Sequence, residues 1–188
     1  MQDSLRPPSK TALIEAAFAV LAENPVASLA DIAERAGVGR ATLHRHFAGR
    51  DDLILTLART ALEEMDIAAE QACADVATHG EALYYTLDAL IPLGDRYRFL
   101  MREPIGDHPD IAAAIQRQDR ETHAMVEAAK AEGLFDATIP TEWIVHAYGS
   151  LLYAAWEAVT AQDLTPAQAS RLAWQTLISG LGQQQDEQ

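Results

Sequence analysis

Between its proline and glycine breaks this chain offers almost nothing that can pair as a β-strand, which restricts it to helices packed on helices. There are no Thr/Val-rich alternating runs and no Asn-Gly or Asp-Gly hairpin turns, whereas alanine, the best helix former, is abundant throughout. The apolar periodicity and its breaks predict helices at 10–23, from Ser28 to Gly37, at 40–47 and from Arg50 to about 77. Further helices are predicted at 81–93, 95–103, 109–132, 140–160 and 166–181, giving an all-α chain of about nine helices. Local chemistry marks the early ends. Asn24-Pro25 stops the first helix, Ser28 caps the second with Asp31 three residues on, and Gly37 closes it in a left-handed conformation. Gln183 to Gln188 reads as a short frayed tail.

With 188 residues, 49% of them apolar, the chain can bury a real core. The single cysteine, Cys73, rules out a disulfide within the chain and fits a reducing cytoplasm. Met1 to Pro8 carries acid, base and two prolines without an apolar run behind them, so no secretory signal is expected. The charge-free stretch from Trp143 to Trp156 is 14 residues, short of the roughly 20 that span a bilayer, and is expected to be a buried helix.

The net charge of −14 argues at first against a polyanion as partner, but the charge is unevenly distributed. Residues 1–50 hold six basic residues (Arg6, Lys10, Arg35, Arg40, Arg45, Arg50) and five acidic ones, a net of +1. Residues 51–188 carry the other eight basic and 23 acidic residues, a net of −15. One end can meet a polyanion while the other avoids it.

The segment from Ser28 to Leu53 carries the functional signal. Two short helices joined by Gly37-Val38-Gly39 make a helix-turn-helix. Ile32, Val38, Leu43 and Phe47 can pack inward, and Ala33 and Ala36 permit close helix approach. That leaves Arg40, Ala41, Thr42, His44, Arg45 and His46 on the other side of the third helix. An arginine fork suits guanine O6 and N7 in the major groove, and Thr and His suit phosphate oxygens.

These residues resemble the TetR (tetracycline-repressor) family of one-component regulators. The resemblance runs without gaps through Ile32-Ala33, Ala36-Gly37-Val38, Thr42-Leu43, His46-Phe47, Arg50 and Leu53. The first helix contributes Lys10, Ile14 and Ala16-Ala17-Phe18, so about residues 10–55 are covered. The resemblance implies a DNA-binding domain at 1–50 and a helical ligand-sensing and dimerisation domain at 51–188. It implies that Arg40, Ala41 and Arg45 face bases, and that Thr42, His44, His46 and Arg50 hold the phosphate backbone. Ser28 would offer backbone amides from the start of the second helix. Three positions depart from the family pattern. His44 stands for a tyrosine, Gly39 for a Ser or Thr, and Arg50 for a lysine.

The implied partners are double-stranded operator DNA, a small-molecule effector, and a second copy of the chain through the last two helices. Trp143, Ala147, Leu151, Ala154 and Ala158, and then Trp174, Leu177, Ile178 and Leu181, fall at helical spacing that would serve such a dimer. Tyr84, Tyr97, Phe99, His123, Met125, Trp143 and His146 are candidate effector contacts. No cofactor and no metal are expected. His108 beside Asp107 and Asp110, and Asp119, His123 and Glu127 at i, i+4, read as ion pairs and caps. Catalysis has no support either, since Gly149-Ser150 lacks a strand-to-helix elbow and no phosphate-cradling loop occurs. The alternative is an acidic helical interaction module whose front hairpin binds protein instead of DNA.

Overall fold

A computed structural model describes residues 10–181. Arg6, the stretch from Met1 to Pro8 and the tail from Gln183 to Gln188 lie outside the described residues. Among those described, the chain folds into nine α-helices and one 3₁₀ turn. In order they are α1 (Lys10–Glu23), α2 (Leu29–Arg35), α3 (Arg40–His46), α4 (Arg50–Ala72) and α5 (His79–Leu90). The 3₁₀ turn Ile91–Leu93 follows, then α6 (Gly94–Arg102), α7 (Pro109–Ala131), α8 (Thr141–Thr160) and α9 (Pro166–Leu181). None of these helices is long and apolar enough to cross a membrane.

The largest boundary difference lies between α4 and α5. The fourth helix stops at Ala72, not near residue 77, and the fifth starts two residues earlier than expected. Thr78 is the reason. Its hydroxyl accepts from the Glu81 amide at 3.1 Å while Glu81 accepts from the Thr78 amide at 3.3 Å, so a capping box begins α5 there.

The helices group into two compact units. One takes the described residues up to Leu62 together with Asp95–Ile111; the other takes Glu63–Gly94 and the residues from Ala112 on. In the first unit, α1 buries Leu13, Ile14, Ala17, Phe18, Val20 and Leu21. Phe99 of α6 meets Phe18 edge-on, with centroids 5.5 Å apart. The Arg96 guanidinium lies 4.4 Å from the Phe18 ring centre and donates to both Glu15 carboxylate oxygens, at 2.6 and 2.7 Å.

In the second unit α8 packs along α9 and turns Ile144, Tyr148, Leu152, Ala155 and Trp156 inward. Two of these residues bring polar groups into the interior, and both are satisfied. The Tyr148 hydroxyl donates to the Leu83 carbonyl and the Trp156 indole N–H to the Leu90 carbonyl, each at 2.9 Å. Burial pushes the Tyr148 phenol far above its ordinary value, so the hydroxyl stays a donor. Gly94 sits directly against Trp156, where a β-carbon would lie 2.7 Å from the indole Cδ1.

Candidate nucleic-acid interface

The interface is built from α2, the turn after it, and α3. Ser28 and Asp31 form the full capping box that starts α2. The Ser28 amide donates to Asp31 Oδ2 at 2.7 Å, and the Asp31 amide donates to Ser28 Oγ at 3.3 Å. The bond from the Ser28 backbone, followed by that from its hydroxyl, holds the Asp31 carboxyl below the usual carboxylate range. The turn depends on Gly37, whose φ of +66° lies in the left-handed region. Its conformation lets the Val38 amide reach back to the Ala33 carbonyl at 2.9 Å and redirects the chain into α3.

Leu43 and Phe47 anchor α3, both 1% exposed. Burying that side fixes which residues face outward. Arg40, Ala41, His44, Arg45 and His46 are exposed and Thr42 is half-buried, so the structure brings all six expected α3 residues onto one accessible helix. Arg45 donates from Nη2 to the Thr42 hydroxyl at 3.1 Å, one turn back, which restrains its guanidinium beside the helix. A depression of about 200 Å³, lined by Ser28, Leu29, Ala30, Arg40, Leu43 and His44, separates the start of α2 from α3. Val38, expected inside, is half-buried.

Arg50 occupies a different setting. It is half-buried, and its guanidinium donates to the Ala27 carbonyl through Nη1 and to the Pro25 carbonyl through Nη2 at 2.9 Å. Nothing in the local sequence signals this, because the acceptors lie 23 and 25 residues earlier.

In the second unit, the α8 stripe expected at a dimer interface faces outward. Trp143 is 63% exposed and Ala154 is exposed, while Ala147, Leu151 and Ala158 are half-buried. A groove of about 460 Å³ runs between this stripe and α9, lined by Trp143, His146, Ala147, Ser150, Leu151, Thr176, Leu177 and Gly180. The α9 stripe turns the other way. Leu177 is buried and Trp174 and Ile178 are half-buried, so the outer surface of α9 comes instead from Leu172, Thr176, Ser179 and Gly180. The Leu181 side chain lies outside the described residues. Thr176 and Gly180 are not among the residues expected from the sequence, although small residues at i, i+4 on an apolar helix are the signal that marks them.

The seven effector candidates are not gathered into one cavity. Trp143 and His146 line the α8–α9 groove, and Phe99 belongs to the core of the first unit against Phe18. Tyr97 is half-buried on α6. Tyr84 stacks edge-on against Trp174 at 5.5 Å, and Met125 is half-buried on α7. His123 lies 3.6 Å from a Glu142 carboxylate oxygen. No group of three or more His, Cys, Asp or Glu among the described residues can hold a metal ion. His108 bonds Asp110, which accepts from Arg59 at 2.6 Å, and Glu127 accepts from the Thr141 hydroxyl.

Comparison with known proteins gives one direction. Residues 13–57 match the family profile described as bacterial regulatory proteins, tetR family. The HTH-type transcriptional repressor LfrR of Mycolicibacterium smegmatis is 32% identical over 167 residues, covering 88% of this chain and 86% of that protein. The crystal structure of LfrR in complex with proflavine superposes with a TM-score of 0.75 at 31% identity, over 93% of this chain and 97% of that one. A ketosteroid transcriptional regulator of Mycobacterium tuberculosis superposes at 0.78 over 96% of this chain and 100% of that one; at 16% identity it speaks for the fold alone.

Proposed function

This chain belongs to the TetR family of ligand-responsive, DNA-binding transcriptional regulators, and we propose that it represses by binding a palindromic operator as a homodimer. The observation that carries the proposal is the division of α3 into a buried side, Leu43 with Phe47 at its end, and an exposed side rich in hydrogen-bond donors. Seated in the major groove, α3 would present Arg40, Ala41 and Arg45 to base edges. Thr42, His44 and His46 would hold phosphates, and Ser28 would offer amides from α2. In this reading residues 1–50 carry DNA binding and 51–188 carry sensing and assembly.

The partner for the outward α8 stripe is a second copy. A palindrome presents two half-sites, and an exposed tryptophan among small residues is the surface a self-complementary helix pair can close over. Release would come from a small molecule that binds the second unit more tightly in its DNA-incompetent arrangement. Proflavine is the probe of choice, since the LfrR structure contains it and the net charge of −15 over residues 51–188 favours a cation. Tyr84, His123 and Met125 of the second unit are the residues to test for contact.

The test begins with a duplex selected from a randomised library by the native protein. Arg40→Ala and Arg45→Ala should each cost about 1–3 kcal/mol on that duplex and relax its sequence preference. Unchanged preference in both variants refutes the groove assignment. Leu151→Glu should convert a dimer to a monomer in sedimentation at micromolar concentration. A native chain that sediments there as a monomer refutes the assembly.

A further inference from the structure

Two nitrogens of the Arg50 guanidinium are already engaged within the protein. The group is turned toward the connection between α1 and α2, where those nitrogens serve the carbonyls of Pro25 and Ala27. Within that connection Val26 is 86% exposed, the Asn24 amide donates to the Val20 carbonyl at 2.8 Å, the Ala27 amide to the Asn24 carbonyl at 3.0 Å and the Val26 amide to Asn24 Oδ1 at 3.3 Å. Ala27 is buried, and the next residue is Ser28, the cap that sets the direction of α2. At the other end of the side chain, the Arg50 backbone opens α4. The Ala48 amide just before it is fixed by Asp52 Oδ2 at 2.9 Å. Arg50 therefore ties the start of α4 to the point from which α2 departs, with α3 between the two.

We infer that Arg50 is a positioning residue for DNA recognition, acting through the placement of α2 and α3 and not through a phosphate of its own. This rests on the DNA-binding reading above. The arginine fork places two separate nitrogens on the two carbonyls, whereas a lysine ammonium offers a single nitrogen on a shorter side chain, so lysine at this site keeps the charge and loses that geometry.

The experiment compares native protein, Arg50→Lys and Arg50→Met, each checked as folded by circular dichroism at the assay temperature. Affinity is measured against salt for the library-selected duplex and for a random duplex of equal length. Both variants should lose about tenfold in the ratio of selected to random affinity, while the salt slope on random DNA stays at the native value. A direct phosphate role gives the opposite pattern. Arg50→Lys would then match the native protein, and Arg50→Met would weaken both duplexes equally, with a slope shallower by roughly 0.9 for each phosphate that is no longer neutralised. That result overturns the assignment, as does a folded Arg50→Lys with native selectivity. A native protein without salt-sensitive binding to any duplex removes the DNA reading itself, a failure distinct from either variant pattern.

Discussion

Replacing Gly94 with alanine sets two effects of known sign against each other. Its φ of −58° and ψ of −31° are ordinary helical values, so alanine suits the backbone. On propensity alone the change should stabilise by up to about 0.8–1.0 kcal/mol, less at a first helical position. Packing opposes it. The added carbon would lie 2.7 Å from Trp156 Cδ1, 3.0 Å from Cγ and 3.2 Å from Cβ. The indole has little freedom to yield, since it is 1% exposed and its N–H is bonded to the Leu90 carbonyl. Forcing a methyl group into such a contact costs about 1–3 kcal/mol, so the net should be a loss of about 0.5–2 kcal/mol. Urea unfolding at fixed protein concentration measures it. In a Trp156→Ala background Cδ1 and Cγ are both gone and only the contact to Cβ at 3.2 Å remains, so the same Gly94→Ala change should cost little or nothing, a coupling of about 1–2 kcal/mol. A raised urea midpoint for Gly94→Ala in the otherwise native chain would show that the indole is free to yield and that propensity outweighs packing at this site.

Ser170 is fully buried and its hydroxyl has no hydrogen-bond partner among the described residues, so Ser170→Ala should stabilise by about 1 kcal/mol in the same assay; a loss would mean that the hydroxyl is bonded. Gly37→Ala meets nothing within 4 Å, so its cost should be that of the left-handed backbone alone, about 1–2 kcal/mol, with Gly37→Asn costing less. Asp110 is held at about 2, below its ordinary 3.8, first by the hydrogen bond from Arg59 and then by that from His108. A carboxyl lowered in the folded state stabilises above its unfolded value and loses that contribution as it protonates. Native and Asp110→Asn urea midpoints should therefore converge as the pH falls from about 4 to about 2, and curves that stay parallel there would discount the ion pair.

The helix order is readable because each break is local. Asn24-Pro25, Gly37 and Pro166 act within a turn of themselves, and a buried side on α3 follows from the spacing of Leu43 and Phe47. The start of α5 is legible too, in Thr78 and Glu81, but the apolar period draws the boundary later. Facing is harder to read. Helix α8 carries two apolar stripes, one through Ile144, Tyr148 and Leu152 and one through Trp143, Ala147 and Leu151, and periodicity does not say which is inside. The settings of Arg50 and the scattered aromatic candidates are illegible for a common reason: their neighbours come from distant parts of the chain, and nothing within a helical turn encodes them.

The first unit is assembled from two separate lengths of chain, and this limits how it can be transplanted. A fragment cut after Leu62 keeps α1 but discards Phe99, which covers the edge of Phe18, and Arg96, which holds Glu15. Phe18 is buried in the intact protein, so such a fragment would expose an aromatic ring on α1, the helix that packs against α2. A chimera that grafts α1 to α3 onto another protein must therefore import α6 as well, or replace Phe18 with a residue that tolerates water. The unit of exchange in this protein is a pair of segments, and recombination at a single crossover point would separate α1 from part of its own core.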